Sequence, residues 1–249
     1  MKKISFCVTC RNRLWQLKQT LGKNLSVLSD DEEIALVDYG STDGLSDWIW
    51  SNFKEFIDSR KLVFFEVKNE VFWNVSKAKN LAHRISSGQY LFNLDGDNFI
   101  ASVDVQLIYK VVERNRPCSQ WSGSMLDGSF GRIGVPRSLF FEIGGYDEAM
   151  LPMGGQDIDL MKRINSLGIS FAKLPNPSID AVQNSDVQKI SEMKTNLENS
   201  EGAKSFYGQI TNLNLMKAKI RLDMEGPRRR EGFSTYNGLF NGEEIIVDG

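Results

Sequence analysis

The chain has 249 residues, 41% of them hydrophobic and 25% charged, the proportions of an ordinary globular protein with room for one large α/β domain or one domain plus an appendage. Lys and Arg number 30 against 32 Asp and Glu, a formal net charge of −2, which excludes the broad basic face that nucleic-acid binding needs. No stretch approaches the roughly 18 apolar residues of a spanning helix, and the apolar run after Met1-Lys2-Lys3 is cut by Arg11, Asn12 and Arg13, so neither a signal peptide nor a transmembrane segment is predicted. The expected location is cytoplasmic, peripheral to a membrane at most.

In chain order, Ile4 to Thr9 reads as a buried strand, and Trp15 to Leu25 as a helix with Leu14, Leu17, Leu21 and Leu25 on its apolar side. Ile34 to Asp38 is a second buried strand running into the turn Tyr39-Gly40-Ser41-Thr42-Asp43-Gly44. A helix carrying Leu45, Trp48, Ile49 and Phe53 follows. Leu62 to Val67 is a third strand, Ser76 to Ser86 a helix, and Tyr90 to Leu94 a fourth strand that stops on Asp95. Strands alternating with helices predict a mainly parallel sheet flanked by helices, with ligands beyond the carboxyl ends of the strands. Three polar segments should therefore converge there: Thr9 to Arg13, Asp38 to Asp43, and Asp95 to Asn98. No G-x-G-x-x-G or G-x-x-x-x-G-K-[ST] follows any strand, which disfavours a dinucleotide site or a P-loop.

Farther on, Asp104 to Asn115 reads as a helix, Trp121 to Pro136 as an irregular glycine-bearing stretch, and Arg137 to Ile143 as a helix. A helix begins near Gln156, with Ile158, Leu160, Met161 and Ile164 apolar, and Gly168 closes it. The region from Val187 to Leu222 reads as polar and largely helical, and Gly226 to Gly249 as a tail free to move. Within it, Arg228-Arg229-Arg230 beside Glu231 reads as solvated, with phosphate or anionic-lipid contact as the alternative. Cys7 and Cys10 lie in a strand at i and i+3, so they point to opposite faces and suit buried apolar positions better than a redox or zinc pair. His83, beside Leu81 and Ala82, reads as structural or surface.

The strongest local signal is Asn93-Leu94-Asp95-Gly96-Asp97-Asn98. An apolar strand ending in Asp-x-Asp sets two carboxylates close together, an arrangement relieved by a hard cation that also grips a diphosphate. Taken alone, Asp-Gly-Asp-Asn is equally a plain turn. The order of segments is more informative: Ile4 to Arg13, then Val37-Asp38-Tyr39-Gly40-Ser41-Thr42-Asp43-Gly44, then Ser76-Lys77-Ala78-Lys79-Asn80, then Asp95-Gly96-Asp97. Together they resemble the family-2 glycosyltransferases of the GT-A fold. Gly144-Gly145-Tyr146-Asp147-Glu148 and Gly154 to Leu160 resemble the acceptor-side segment of those enzymes, shared with some galactosyltransferases and chondroitin-type polymerases.

That resemblance spans about residues 4 to 175. It implies a nucleotide-binding half, an acceptor-binding half and, here, a helical C-terminal extension, divided as a GT-A domain at 1–180 and an extension with tail at 181–249. It also implies a UDP-linked sugar donor, a glycan or glycolipid acceptor and a divalent cation, Mn²⁺ or Mg²⁺. Residue by residue, Thr9 and Arg11 match positions that frame the nucleotide base, and Asp38 the carboxylate that hydrogen-bonds it. Lys79 and Asn80 match the pair near the ribose and diphosphate, Asp95 a ribose or metal contact, and Asp97 a metal ligand. Asp157 matches the general base of inverting members, with an N-terminal helix cap as its alternative. Gln156 replaces a frequent Glu and can hydrogen-bond an acceptor hydroxyl but cannot act as a base. Asp159 is either an acceptor contact or a surface carboxylate. Trp121 and Phe130 are the best candidates, ahead of Trp73 and Tyr146, for stacking on sugar rings.

The late His that many relatives add as a metal ligand is missing, which leaves Asp180, Gln183, Asn184 or water for that position. Two other readings remain open: a sugar-nucleotide or glycan-binding protein without turnover, and a nucleotidyltransferase. The second normally has a glycine-rich loop after the first strand, and Thr9 to Arg13 contains no glycine.

Overall fold

The computed structural model describes residues 2–68, 70, 72–121, 123, 128–193 and 200–249. Four strands, β1 (Ile4–Cys10), β2 (Glu32–Asp38), β3 (Leu62–Val67) and β4 (Tyr90–Asn93), pair in parallel, with β1 between β2 and β4. The helices between them are α1 (Leu14–Ser26), α2 (Leu45–Asp58) and α3 (Val75–Ile85). Buried on both faces, these strands are continuous apolar runs rather than alternating ones, as covered parallel sheets require.

The two faces carry separate cores. Ile4, Phe6, Val8 and Cys10 of β1 pack with α1, α2 and α4 (Ser102–Val112), whereas Cys7 packs with Ala78, Leu81 and Ala82 of α3. Cys7 and Cys10 thus sit on opposite faces, and all three cysteines are free and buried.

The sheet continues past the sequence-predicted strands at both edges. On one side lie β5 (Cys118–Ser119), β6 (Ile133–Pro136) and β7 (Ala172–Lys173), with β6 antiparallel to β4. Part of the stretch expected to be irregular is therefore sheet; its residues 122 and 124–127 lie outside those described. Next come α5 (Arg137–Glu142) and α6 (Gln156–Ser166). The expected helix from Val187 to Leu222 is α7 (Asp186–Ile190), a 3₁₀ turn (Ser191–Met193) and the long α8 (Ser200–Glu225), with residues 194–199 outside those described.

The chain after Gly226 is not a tail free to move. Strands β8 (Tyr236–Phe240) and β9 (Glu243–Val247) form a hairpin, and β8 pairs antiparallel with β3. Arg229, expected to be solvated, is buried: its guanidinium donates to Asp147 (2.9 Å) and Asp159 (3.5 Å). Arg221 of α8 grips the same Asp147 at 2.7 and 2.8 Å, and Arg163 of α6 grips Asp159 at 2.7 Å. This cluster of two carboxylates and three guanidinium groups fastens α6, α8 and the Gly144–Glu148 turn together. Among the described residues no helix is long and apolar enough to cross a membrane.

Candidate active site

At the carboxyl ends of β1 and β4 lies a cleft of ≈ 320 Å³. Of the sequence-predicted residues it gathers Thr9 and Arg11 from the β1 tip, Lys79 from α3, Asp95 and Asp97 from the β4 tip, and Gln156 and Asp157 from the start of α6. Trp73 and Phe130 line it too, while Trp121 stands behind, edge-on to Phe130 at 4.9 Å. Trp121 is thus a support for Phe130 rather than a wall of the cleft.

Lys79 is the electrostatic centre. Its ammonium, 2% exposed, lies 2.8 Å from Asp157 Oδ1, 3.6 Å from Asp95 Oδ1 and 5.3 Å from the ring centre of Tyr146. Burial alone would lower its pKa, but the carboxylates of Asp157 and Asp95 outweigh it and hold the lysine charged. Asp157 shows the converse: burial lifts its carboxyl above the usual carboxylate range, and Lys79 pulls it partly back. Its place in the first turn of α6 adds the helix N-terminus as further support for a negative charge. The turn into α6 is made by Gly154 and Gly155, both at φ +85°, a region that L side chains enter only with strain. Gln156 is buried, and its Oε1 has no hydrogen-bond partner among the described residues.

At the β4 tip the Asp97 carboxyl accepts from Asn98 Nδ2 (2.7 Å) and Asn184 Nδ2 (2.6 Å), and burial followed by the charge of Asp95 pushes it up to about 6. Asp95 accepts from Asn93 Nδ2 at 3.1 Å. A Cβ on Gly131 would fall 2.5 Å from Asp95 Oδ2, so only glycine lets that loop pass so close to the carboxylate. Among the described residues no group of three His, Cys, Asp or Glu side chains forms a complete metal cage. The pair nevertheless fits a hard cation: two carboxylates set close together, with Asp97 raised by burial and by the charge of Asp95, an arrangement that a divalent ion would relieve. Such ions commonly complete their coordination with water and phosphate oxygens.

Several expected contacts fall elsewhere. Asp38 does not line the cleft; its Oδ1 accepts from Ser41 N at 2.8 Å, and burial pushes the carboxyl up to about 6. It shapes the turn after β2. Asn80 lies one position from Lys79, about 100° farther round the helix, and clasps the Gly144–Glu148 turn by accepting from Tyr146 N (2.8 Å) and donating to Tyr146 O (2.9 Å) and Glu148 Oε1 (2.9 Å). Asp159 belongs to the buried arginine cluster, and the Tyr146 ring lies buried against Lys79 instead of offering a sugar platform. His83 is structural: it stacks on Phe140 at 4.4 Å, pairs its Nδ1 with Lys79 O at 2.7 Å, and is lowered by burial to about 3.

Sequence reasoning missed Gln16, Glu192 and Tyr207, all of which line the cleft, and placed Arg13 there only as part of the polar segment after β1. Gln16 was legible as a polar residue in the first turn of α1, next to that segment. Glu192 and Tyr207 carry no local signal, since the 3₁₀ turn after α7 and the helix α8 reach the cleft only through the fold.

A parallel sheet with an acidic strand tip, a second carboxylate at a helix start and a cleft between them defines this chain as a glycosyltransferase of the GT-A fold. Residues 5–143 match the profile of glycosyl transferase family 2, more than half of the chain, and the protein belongs to that family. Solved structures share the fold. A mannosyltransferase from Pyrobaculum calidifontis, in complex with GDP-Man and Mn²⁺, is 15% identical over 92% of this chain and 76% of its own, with a TM-score of 0.59. Glucosyl-3-phosphoglycerate synthase from Mycobacterium tuberculosis, in complex with Mn²⁺, UDP and glucosyl-3-phosphoglycerate, is 14% identical over 99% and 90%, with a TM-score of 0.58. TarS 1–349 from S. aureus is 12% identical over 89% and 72%, with a TM-score of 0.56. No curated protein sequence matches the chain.

Proposed function

We propose that this enzyme transfers a hexosyl unit from a nucleotide-sugar, UDP-linked in our reading, to a hydroxyl of a glycan or glycolipid acceptor, with inversion at the anomeric carbon. The observation that carries the reading is the meeting of Arg11, Lys79, Asp95, Asp97 and Asp157 in one cleft, although they come from four separate elements of the chain. The complexes of the two structural neighbours, one with GDP-Man and Mn²⁺ and one with UDP and Mn²⁺, support a nucleotide-linked donor.

In this mechanism the acceptor oxygen attacks the anomeric carbon as its bond to the diphosphate oxygen breaks, and the nucleoside diphosphate leaves with the bonding electrons. Asp157 takes the proton from the attacking hydroxyl. Its raised pKa makes it a better base than an exposed carboxylate, while Lys79 keeps it ionised and fixed in place. Asp97 and Asp95 would hold the divalent cation, which supplies neutralisation of charge on the departing diphosphate. Thr9 and Arg11 frame the nucleotide, and Gln156 Oε1 accepts a hydrogen bond from the acceptor sugar.

A panel of UDP-, GDP-, CMP- and dTDP-sugars, each with and without Mn²⁺, tests this directly. One donor should undergo slow Mn²⁺-dependent hydrolysis. Asp157→Asn should retain nucleotide binding and lose transfer by roughly 10²-fold or more. Transfer by Asp157→Asn at the wild-type rate refutes the base assignment, and binding without any turnover refutes the enzyme reading.

A further inference from the structure

The segment from Ala181 to Met193, which includes α7, crosses the cleft as a strap. One end sits on the acidic strand tip: Val182 N donates to Asp97 O (2.8 Å), and Asn184 bonds Asp97, Gln16 (2.5 Å) and Arg13 (3.0 Å). Arg13 also donates to the Gln188 carbonyl. At the other end, Glu192 Oε2 accepts from Arg11 Nε at 3.1 Å and Asn12 Nδ2 at 2.9 Å. Arg11 Nη1 is engaged by the carbonyls of Tyr39 (2.8 Å) and Glu70 (3.1 Å). The Arg11–Glu192 pair is largely shielded, with the side chains 9% and 19% exposed, so solvent weakens it little.

Two features indicate what Glu192 does there. The described cleft lining carries the carboxylates Asp95, Asp97, Asp157 and Glu192 against the cations Arg11, Arg13 and Lys79, an excess of one negative charge before any anionic donor arrives. Three of those acids stand on the β4 tip or α6, whereas Glu192 sits on the short turn after a five-residue helix, outside the sheet and α6. Space points the same way. With the strap seated the cleft measures ≈ 320 Å³, the lower end of the roughly 300–1,000 Å³ of pockets that enclose drug-sized molecules, and a nucleotide-sugar is larger than most of these.

We infer that Glu192 is a built-in competitor of the donor, an internal anion seated on Arg11 that a nucleoside diphosphate group must displace to enter. The inference rests on the donor reading above and adds a regulatory residue to it. Donor affinity is set by the difference between two anions competing for Arg11, not by the donor's contacts alone.

The test is titration calorimetry of UDP and of GDP, each with Mn²⁺, on the wild type, Glu192→Gln, Arg11→Gln and the double variant. Glu192→Gln should tighten binding of the accepted nucleotide by roughly tenfold. The gain should vanish in the Arg11→Gln background. Glu192→Asp, which keeps the charge but shortens its reach, should change affinity in the same direction by less. Unchanged or weaker binding by Glu192→Gln overturns the inference while leaving the donor reading intact; weaker binding would make Glu192 a clasp that holds the donor in. Absence of binding of either nucleotide to any of the four proteins overturns the donor reading and the inference together.

Discussion

Replacing Lys79 by Met removes the cation buried between Asp157 and Asp95. The side chains of Lys79 and Asp157 are 2% and 9% exposed and 2.8 Å apart, so the carboxylate left behind would have neither solvent nor a counter-charge. Removing one partner of such a pair costs about 3–5 kcal/mol, which for a chain of this size corresponds to a fall in Tm of about 10 °C. The loss should also depend on pH. Asp157 in the folded protein already lies above its ordinary pKa, chiefly through burial, so its contribution to stability is full below the unfolded value and is lost as pH rises through the folded one. Without Lys79 the folded value climbs further, and the penalty of the substitution grows from pH 5 to pH 8. Lys79 itself stays charged throughout that window in the wild type. Urea unfolding of the wild type, Lys79→Met, Asp157→Asn and the double variant at both pH values measures this, and Lys79→Met should cost much less when Asp157 is already Asn. A loss below about 0.5 kcal/mol, as for an exposed lysine, or an equal loss at pH 5 and pH 8, refutes the reasoning.

Other substitutions separate the parts of the site. Asp97→Ala should weaken Mn²⁺-dependent nucleotide binding by at least roughly tenfold, about 1.4 kcal/mol, and leave binding in EDTA unchanged; calorimetry with and without Mn²⁺ reads the difference. Tyr207→Ala, which removes the α8 side chain from the cleft wall near Asp157, should lower transfer by about tenfold through lost positioning while nucleotide affinity stays as it was. Arg229→Ala should destabilise the fold by about 3 kcal/mol because Asp147 and Asp159 lose a buried partner; a thermal melt that does not move would return Arg229 to the solvated surface.

The sequence by itself determined the alternation of β1 to β4 with α1 to α3, because continuous apolar runs and helical spacing are local properties of the chain. It also determined that acids stand at the β4 tip and the start of α6, since a strand end and a helix start are marked by their own residues. Only the tertiary structure decided which polar residues serve the cleft and which the framework. Lys79 and Asn80 are neighbours in sequence, yet a step of about 100° around the helix turns one toward Asp157 and the other into the Tyr146 turn. Asp157 and Asp159 share α6, but the second lies within reach of Arg163 and Arg229 and is claimed by them. The C-terminal hairpin, the buried Arg229, and the arrival of Glu192 and Tyr207 at the cleft were illegible for the same reason. Each depends on partners far away in the chain, such as β3, Asp147 and Arg11, and a side chain's burial or pairing is set by neighbours that local periodicity does not encode.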